Sequence, residues 1–180
     1  MKLVYSIPEK LYYIQNFLDF RTYKKIHYDS FKSKLLKLSS VDNSWQKSLV
    51  YGHKNFTKNS KLDINYKPLH TLITLIKNNP YHRINNYKFN CMFHSMEDEA
   101  GINWHDDGSH EYGITYYINR RWNPKFGGEF LFSDVNVNGF IPLVGNSLII
   151  VKTPLIHKVV NVTKPLVSRK TIQIFVSKNE

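Results

Sequence analysis

Arg169-Lys-Thr-Ile-Gln-Ile-Phe-Val176, close to the end of the chain, alternates in character residue by residue. Ile172, Ile174 and Val176 fall on one face, and Arg169, Thr171 and Gln173 on the other. Successive side chains of a strand point to opposite faces, so this period of two predicts β structure. Ile114-Thr-Tyr-Tyr-Ile-Asn119 repeats the pattern, with Ile114, Tyr116 and Ile118 opposed to Thr115, Tyr117 and Asn119. For a single strand, a solvated polar face is explanation enough. Two such strands beside a cluster of metal-ligand residue types suggest polar faces lining a pocket, with the apolar faces covered by other elements.

Working outward, short β-like runs bounded by Gly, Asn, Asp and Pro occupy Tyr87–His94, Tyr112–Asn119, Glu129–Ser133, Gly139–Leu143, Ser147–Lys152, His157–Val162 and Lys170–Val176. Their length and spacing predict a mainly β sandwich or barrel. The first half reads differently. A strand is expected at Lys2–Ser6, then a helix over Asp19–Leu38 from the spacing of Phe20, Tyr23, Ile26, Phe31, Leu35 and Leu38. A strand at Trp45–Tyr51 and an exposed basic loop at His53–Ser60 follow. A second helix at Pro68–Lys77 carries Leu69, Leu72, Ile73 and Ile76 on one side and ends at Asn79-Pro80. The 180 residues suffice for one sizeable core. The expected organisation is a single domain over 1–180: a helical support region, 1–85, against a β core, 86–180.

The formal net charge is +11. Lys24, Lys25, Lys32, Lys34, Lys37, Lys47, Lys54, Lys58 and Lys61 crowd the first third of the chain. This fits an anionic partner, nucleic acid included, and equally a lysine-rich solvated surface. Cys91 is the single cysteine. It excludes an intramolecular disulfide, and within the run Lys88–Phe93 it reads as a buried, inert thiol. The apolar run at Met1–Pro8 is too short for a signal peptide, and no stretch reaches the ~18 apolar residues of a membrane span. A soluble, cytoplasmic protein is expected.

Asn103-Trp-His-Asp-Asp107 carries the chemistry. In an extended segment His105 and Asp107 project to one side and Asp106 to the other. His157, 50 residues after Asp107, is the natural third ligand. Two histidines and one carboxylate with open positions suit non-haem Fe(II) oxygen chemistry. A lone His-x-Asp is common by chance, and Asp106-Asp107-Gly108 also reads as turn chemistry; the ordered set lifts the signal. Arg169 stands 12 residues after His157. Its guanidinium can grip a carboxylate bidentately, although a surface arginine at a strand start has the same local signature. Tyr117 offers a hydroxyl, or is a packed core tyrosine. His94 and His110 read as pocket wall, loop or solvent residues. Gly127-Gly128 lacks the Lys and helix of a phosphate loop and reads as a turn. Trp104 and Trp122 either stack on a substrate or pack beneath loops.

From about Phe89 to Val176 the chain resembles the prolyl-4-hydroxylase-like branch of the Fe(II)/2-oxoglutarate oxygenases. The resemblance rests on Asn103–Asp107, Ile114–Asn119, Trp122, Gly127-Gly-Glu-Phe-Leu-Phe132, Gly145-Asn-Ser-Leu-Ile-Ile150, His157-Lys-Val159 and Arg169–Ile174, in that order. Ile14-Gln-Asn-Phe-Leu-Asp19 adds an N-terminal likeness. The resemblance implies a double-stranded β-helix, or distorted jelly roll, with supporting helices. It also implies His105, Asp107 and His157 as iron ligands, Arg169 binding 2-oxoglutarate and Tyr117 assisting it. Fe(II), 2-oxoglutarate and O₂ would be the cofactor and cosubstrates, with ascorbate an accompanying cofactor. Many relatives carry a tyrosine in the strand before the His-x-Asp; here Phe93 or His94 stands there instead. The implied reaction is hydroxylation of a C–H bond, with a prolyl residue of a protein or peptide as substrate. Two rivals remain. One is oxidative demethylation or hydroxylation of nucleic acid, although similar demethylases carry a second arginine six residues after the first, where this chain has Phe175. The other is a non-catalytic jelly-roll binding module.

Overall fold

A computed structural model of the chain describes residues 1–31, 50–51, 57–62, 65–82, 84–97, 99–164 and 166–179. In chain order the elements are β1 (Lys2–Ile7), β2 (Leu11–Gln15), α1 (Phe20–Phe31), β3 (Val50–Tyr51), β4 (Thr57–Lys61), α2 (Lys67–Lys77), β5 (Tyr87–Met96), β6 (Gly101–His105) and β7 (Tyr112–Tyr117). They continue with β8 (Phe130–Asp134), β9 (Val137–Ile141), β10 (Ser147–Lys152), β11 (Ile156–Val159) and β12 (Arg169–Lys178). A seven-stranded sheet runs β1-β2-β10-β7-β12-β5-β4, and a five-stranded sheet runs β3-β6-β11-β8-β9. From β5 onward the chain passes between the two sheets strand by strand, apart from the β8–β9 hairpin. That alternation of antiparallel strands is the double-stranded β-helix.

The large sheet is buried on both sides. Its outer face carries Cys91, Phe93, Ile114, Tyr116, Ile118, Ile150, Ile172, Ile174 and Val176. These pack with Tyr23 and Ile26 of α1 and with Leu69, Leu72, Ile73 and Ile76 of α2. Its inner face meets the small sheet through Leu11, Tyr13, Tyr117, Ile149 and Val151, against Phe130, Phe132 and Ile141. The alternation in β7 and β12 therefore separates a helix-facing side from a sheet-facing side, and the polar residues of both strands lie between the sheets. Burial at the outer face pushes the Cys91 thiol up to about 12, so it stays protonated and inert.

Several expectations need correction. The first half is more than helical support, because β1, β2 and β4 extend the large sheet and β3 the small one. Residues 57–60, expected in a loop, belong to β4 (Thr57–Lys61), which pairs with Met92–Met96 of β5. Phe20 and Phe31 of α1 are exposed rather than buried. Phe20 lies against Arg120 and Phe31 against Lys170, whose cations sit over the rings at 5.8 and 3.6 Å. The expected extension of this helix to Leu38, most of the Trp45–Tyr51 strand, the start of the basic loop, and Lys32, Lys34, Lys37, Lys47 and Lys54 lie outside the described residues. Among the described residues, no helix is long and apolar enough to cross a membrane.

One side chain ties the N-terminal segment to the β core. Asn146, held at φ +61° just before β10, accepts hydrogen bonds at Oδ1 from the Leu18 N–H and the Tyr116 hydroxyl, each 2.9 Å. Its Nδ2 donates to the Leu18 carbonyl at 2.9 Å. Asn tolerates this left-handed conformation better than Ala does. Asn146→Ala leaves three buried polar groups without partners and is expected to lower unfolding free energy by roughly 2–4 kcal/mol, measured by urea denaturation.

Candidate metal centre and its cleft

His105 and His157 are Cα partners in the β6–β11 pair, so two imidazoles meet across neighbouring strands. A bulge aims the first of them. The three-residue step from Ile102 to His105 stands opposite the two-residue step from His157 to Val159. Such an extra residue breaks strict alternation. Ile102 and His105 both face the cleft, while Asn103 and Trp104 are exposed. Asp107 follows in the loop after β6. Ligand atoms of His105, Asp107 and His157 all lie within 4.8 Å of one another. The two Nε2 atoms stand 4.0 and 3.9 Å from the Asp107 carboxylate oxygens.

The donors are set up to receive a cation. His105 Nδ1 lies 2.7 Å from the Asn103 carbonyl and His157 Nδ1 lies 2.8 Å from the Leu155 carbonyl. A carbonyl only accepts, so each Nδ1 carries the proton and each Nε2 presents a lone pair to the cluster. Burial holds His157 below the ordinary histidine range, against the pull of the Asp107 carboxylate; a neutral imidazole is the ligating form. No lysine or arginine pairs with Asp107 among the described residues. The donor set fits a divalent metal that prefers imidazole and carboxylate.

Asp107 depends on Gly113 of β7. A Cβ on Gly113 would stand 1.7 Å from Asp107 Oδ2, and the three atoms nearest to it all belong to Asp107. The carboxylate occupies the space that any other residue would fill with its side chain. From there the cleft continues along the large sheet past Thr115, Gln173 and Phe175, with Ile102, Phe130, Val151 and Val159 as apolar walls.

Arg169 is not part of the open wall. It lies farther along the same inner face, 0 % exposed. Its Nε donates to the Gly128 carbonyl at 3.0 Å, one terminal nitrogen to Tyr117 Oη at 3.4 Å and the other to Met96 Sδ at 3.7 Å. Each of these partners is neutral, and among the described residues no carboxylate pairs with Arg169; a buried charge without a counter-ion costs several kcal/mol. Across β7, β12 and β5, Tyr117, Thr171 and His94 stand side by side. The Thr171 hydroxyl is buried with no hydrogen-bond partner. Burial and the Arg169 charge push His94 down to about 3, so the guanidinium is the charged group of this end. The arrangement suits a buried anion.

The remaining candidates separate cleanly. His94 is a wall residue beside Arg169. His110 packs on Phe175, with ring centroids 4.7 Å apart, and bonds Ser177 at 3.0 Å. Trp122, half-buried, packs against the core and bonds from Nε1 to the Gly127 carbonyl at 2.8 Å. Trp104 is 47 % exposed, with Lys158 over its ring. The Gly127-Gly128 turn does more than reverse the chain: Gly128, at φ +82°, offers its carbonyl to Arg169, and a Cβ there would meet Arg169 Cδ at 3.0 Å. Sequence reasoning did not single out Gly113 or Gly128 as site residues, and it placed Thr115, Thr171 and Gln173 on the faces expected to line a pocket without assigning them a role. Thr115, Thr171 and Gln173 were within reach of the strand alternation; the glycines carried no local signal.

No protein-family model matches the chain, and no curated protein matches it in sequence. Solved structures are similar. A prolyl-4-hydroxylase from Pseudomonas putida matches with a TM-score of 0.71 at 13% identity, covering 94% of this chain and 93% of that one. A prolyl hydroxylase from Trichoplax adhaerens, in complex with a hypoxia inducible factor oxygen degradation domain peptide fragment, gives 0.67 at 15%, covering 94% and 84%. HygX from Streptomyces hygroscopicus, with nickel and 2-oxoglutarate bound, gives 0.66 at 10%, covering 96% and 84%. The chain shares the fold of these proteins.

Gly113 gives this centre its sharpest test. In the native background, Gly113→Ala is expected to weaken Co(II) binding, followed by titration calorimetry, by about tenfold or more. It should also lower the melting temperature of the metal-free protein. In an Asp107→Ala background the same substitution should leave melting nearly unchanged, because the clash is gone.

Proposed function

We propose that this chain is an Fe(II)- and 2-oxoglutarate-dependent oxygenase that hydroxylates a C–H bond, with a prolyl residue of a protein or peptide as its substrate. The observation that carries the reading is the pairing of two complementary needs on one inner face: a His-Asp-His cluster at one end, and at the other a buried guanidinium that pairs with no carboxylate among the described residues. A 2-oxo dicarboxylate answers both. Its oxo-acid end suits the metal, and its far carboxylate suits Arg169.

In this reading His105, Asp107 and His157 hold the iron. The iron, when bound, supplies the redox chemistry that couples O₂ and 2-oxoglutarate to hydroxylation, releasing succinate and CO₂. The chain's own work is positional. The Asn103 and Leu155 carbonyls keep both histidines in the ligating tautomer. Tyr117 and the unpartnered Thr171 hydroxyl stand ready to share the far carboxylate with Arg169. The apolar walls exclude water from the region between. The prolyl substrate is supported by two of the similar structures being prolyl hydroxylases, one with a peptide bound. Phe175 lining the cleft, where similar nucleic-acid demethylases carry arginine, also favours a peptide.

Iron-loaded protein incubated with 2-oxoglutarate and O₂ is expected to form succinate, and His105→Ala to abolish it. Arg169→Leu should weaken 2-oxoglutarate binding about a hundredfold, since it removes the charged partner of the carboxylate. Proline-containing peptides screened by mass spectrometry should gain one oxygen atom. If the iron-loaded protein neither binds nor consumes 2-oxoglutarate, the proposal is wrong.

A further inference from the structure

Thr115 of β7 and Gln173 of β12 are direct Cα partners, 8 % and 7 % exposed. Both line the cleft with the three metal-type ligands. The Thr115 hydroxyl donates to Gln173 Oε1 at 2.8 Å. This bond occupies the carbonyl end of the amide and turns its NH₂ end away from Thr115. Among the described residues Gln173 makes no other side-chain hydrogen bond. The neighbouring walls, Ile102, Phe130, Val151 and Val159, have no side-chain acceptor to offer. The NH₂ end is left to the open space of the cleft that Gln173 lines, so two oriented N–H groups are available there to the acceptor atoms of a ligand.

Strand register says which part of a ligand would meet them. Gly113, beneath the Asp107 carboxylate, pairs with Phe175; Thr115 pairs with Gln173; Tyr117 pairs with Thr171. Each step of two residues advances about 6.8 Å along the strands. The Thr115–Gln173 row therefore lies midway, one step from Asp107 and one step from the Tyr117–Thr171 row beside Arg169. Any ligand spanning the cluster and the guanidinium must cross it.

We infer that Gln173, oriented by Thr115, is a cosubstrate-binding residue: its amide donates a hydrogen bond to an oxygen atom at the metal-proximal, 2-oxo acid end of 2-oxoglutarate. The inference rests on the oxygenase reading, and its test separates the two. The Thr115 bond gives Gln173 one fixed orientation, so the donor is pre-set rather than recruited on binding.

The test measures 2-oxoglutarate binding to the Fe(II)-loaded chain without O₂, by titration calorimetry. Gln173→Leu keeps size and removes the donors; it should weaken binding about tenfold, the loss of one hydrogen bond to a carboxylate. Thr115→Val keeps shape and removes only the orienting bond; it should weaken binding about threefold. The double variant should bind no worse than Gln173→Leu alone, because Thr115 acts through Gln173. Co(II) affinity and the melting temperature of each variant serve as controls for the metal centre and the fold. Unchanged 2-oxoglutarate affinity in Gln173→Leu overturns the inference and leaves the oxygenase reading standing. Equal, fully additive losses overturn the role of Thr115. Absence of 2-oxoglutarate binding by the native chain overturns both readings together.

Discussion

Strand β12 is covered on both faces, and its register between β7 and β5 decides which of its residues meet the helices and which meet the small sheet. In the observed register, Ile172, Ile174 and Val176 enter the helix-facing core, while Arg169, Thr171, Gln173 and Phe175 face inward. A slip of one residue would exchange the two sets. Arg169 would be driven among Leu and Ile side chains, and the inner face would lose its guanidinium and its amide at once. The apolar packing of the outer face thus selects the geometry of the polar inner face. Fold stability and site construction are one constraint here.

The parts of this arrangement that show in the sequence are those that a local period can encode. β7, β10 and β12 announce themselves through alternation or a compact apolar run, and α2 through four apolar residues at helical spacing. β2 does not: Leu11-Tyr-Tyr-Ile is apolar throughout, and Tyr13 and Ile14 are buried on opposite faces of the sheet. β4, Thr57-Lys-Asn-Ser-Lys61, has no hydrophobic signal at all, since an edge strand is held by backbone pairing with β5. Phe20 and Phe31 fit the helical period yet lie at its exposed margin, under Arg120 and Lys170. The bulge in β6 is invisible locally, because it is defined by the partner strand.

The site divides in the same way. His105, Asp107, His157 and Arg169 stand out as an ordered set of metal-ligand and carboxylate-binding residue types, although each alone is common. Thr115, Thr171 and Gln173 look like any solvated strand face, and only the small sheet covering them turns that face into an interior. Gly113 and Gly128 are harder still. Their contribution is space that another part of the chain occupies: the Asp107 carboxylate over one, the Arg169 side chain against the other. Nothing in the residues beside a glycine reveals what will fill the place of its missing side chain.

The two ends of the inner face carry opposite formal charges, Asp107 in the cleft and Arg169 buried beyond it, and the sheet keeps them from neutralising each other. The Thr115–Gln173 row and the backbone of β7 and β12 stand between them. A rigid frame that holds a carboxylate and a guanidinium apart in a low-dielectric interior keeps a need alive at each end. Under the oxygenase reading, a divalent cation satisfies one need and a dianionic cosubstrate the other. Either ligand alone leaves the cleft with two excess charges; together they return it to the formal charge it began with. Electrostatics therefore favours joint occupancy, and the coupling is reciprocal, since whatever the metal does for the affinity of the dianion the dianion does for the metal. Under the same reading, the cost of burying Arg169 with no carboxylate partner among the described residues would give the cleft its selectivity: a monoanion that reached only the metal would leave that cost in place, and a dicarboxylate long enough to reach Arg169 as well would remove it.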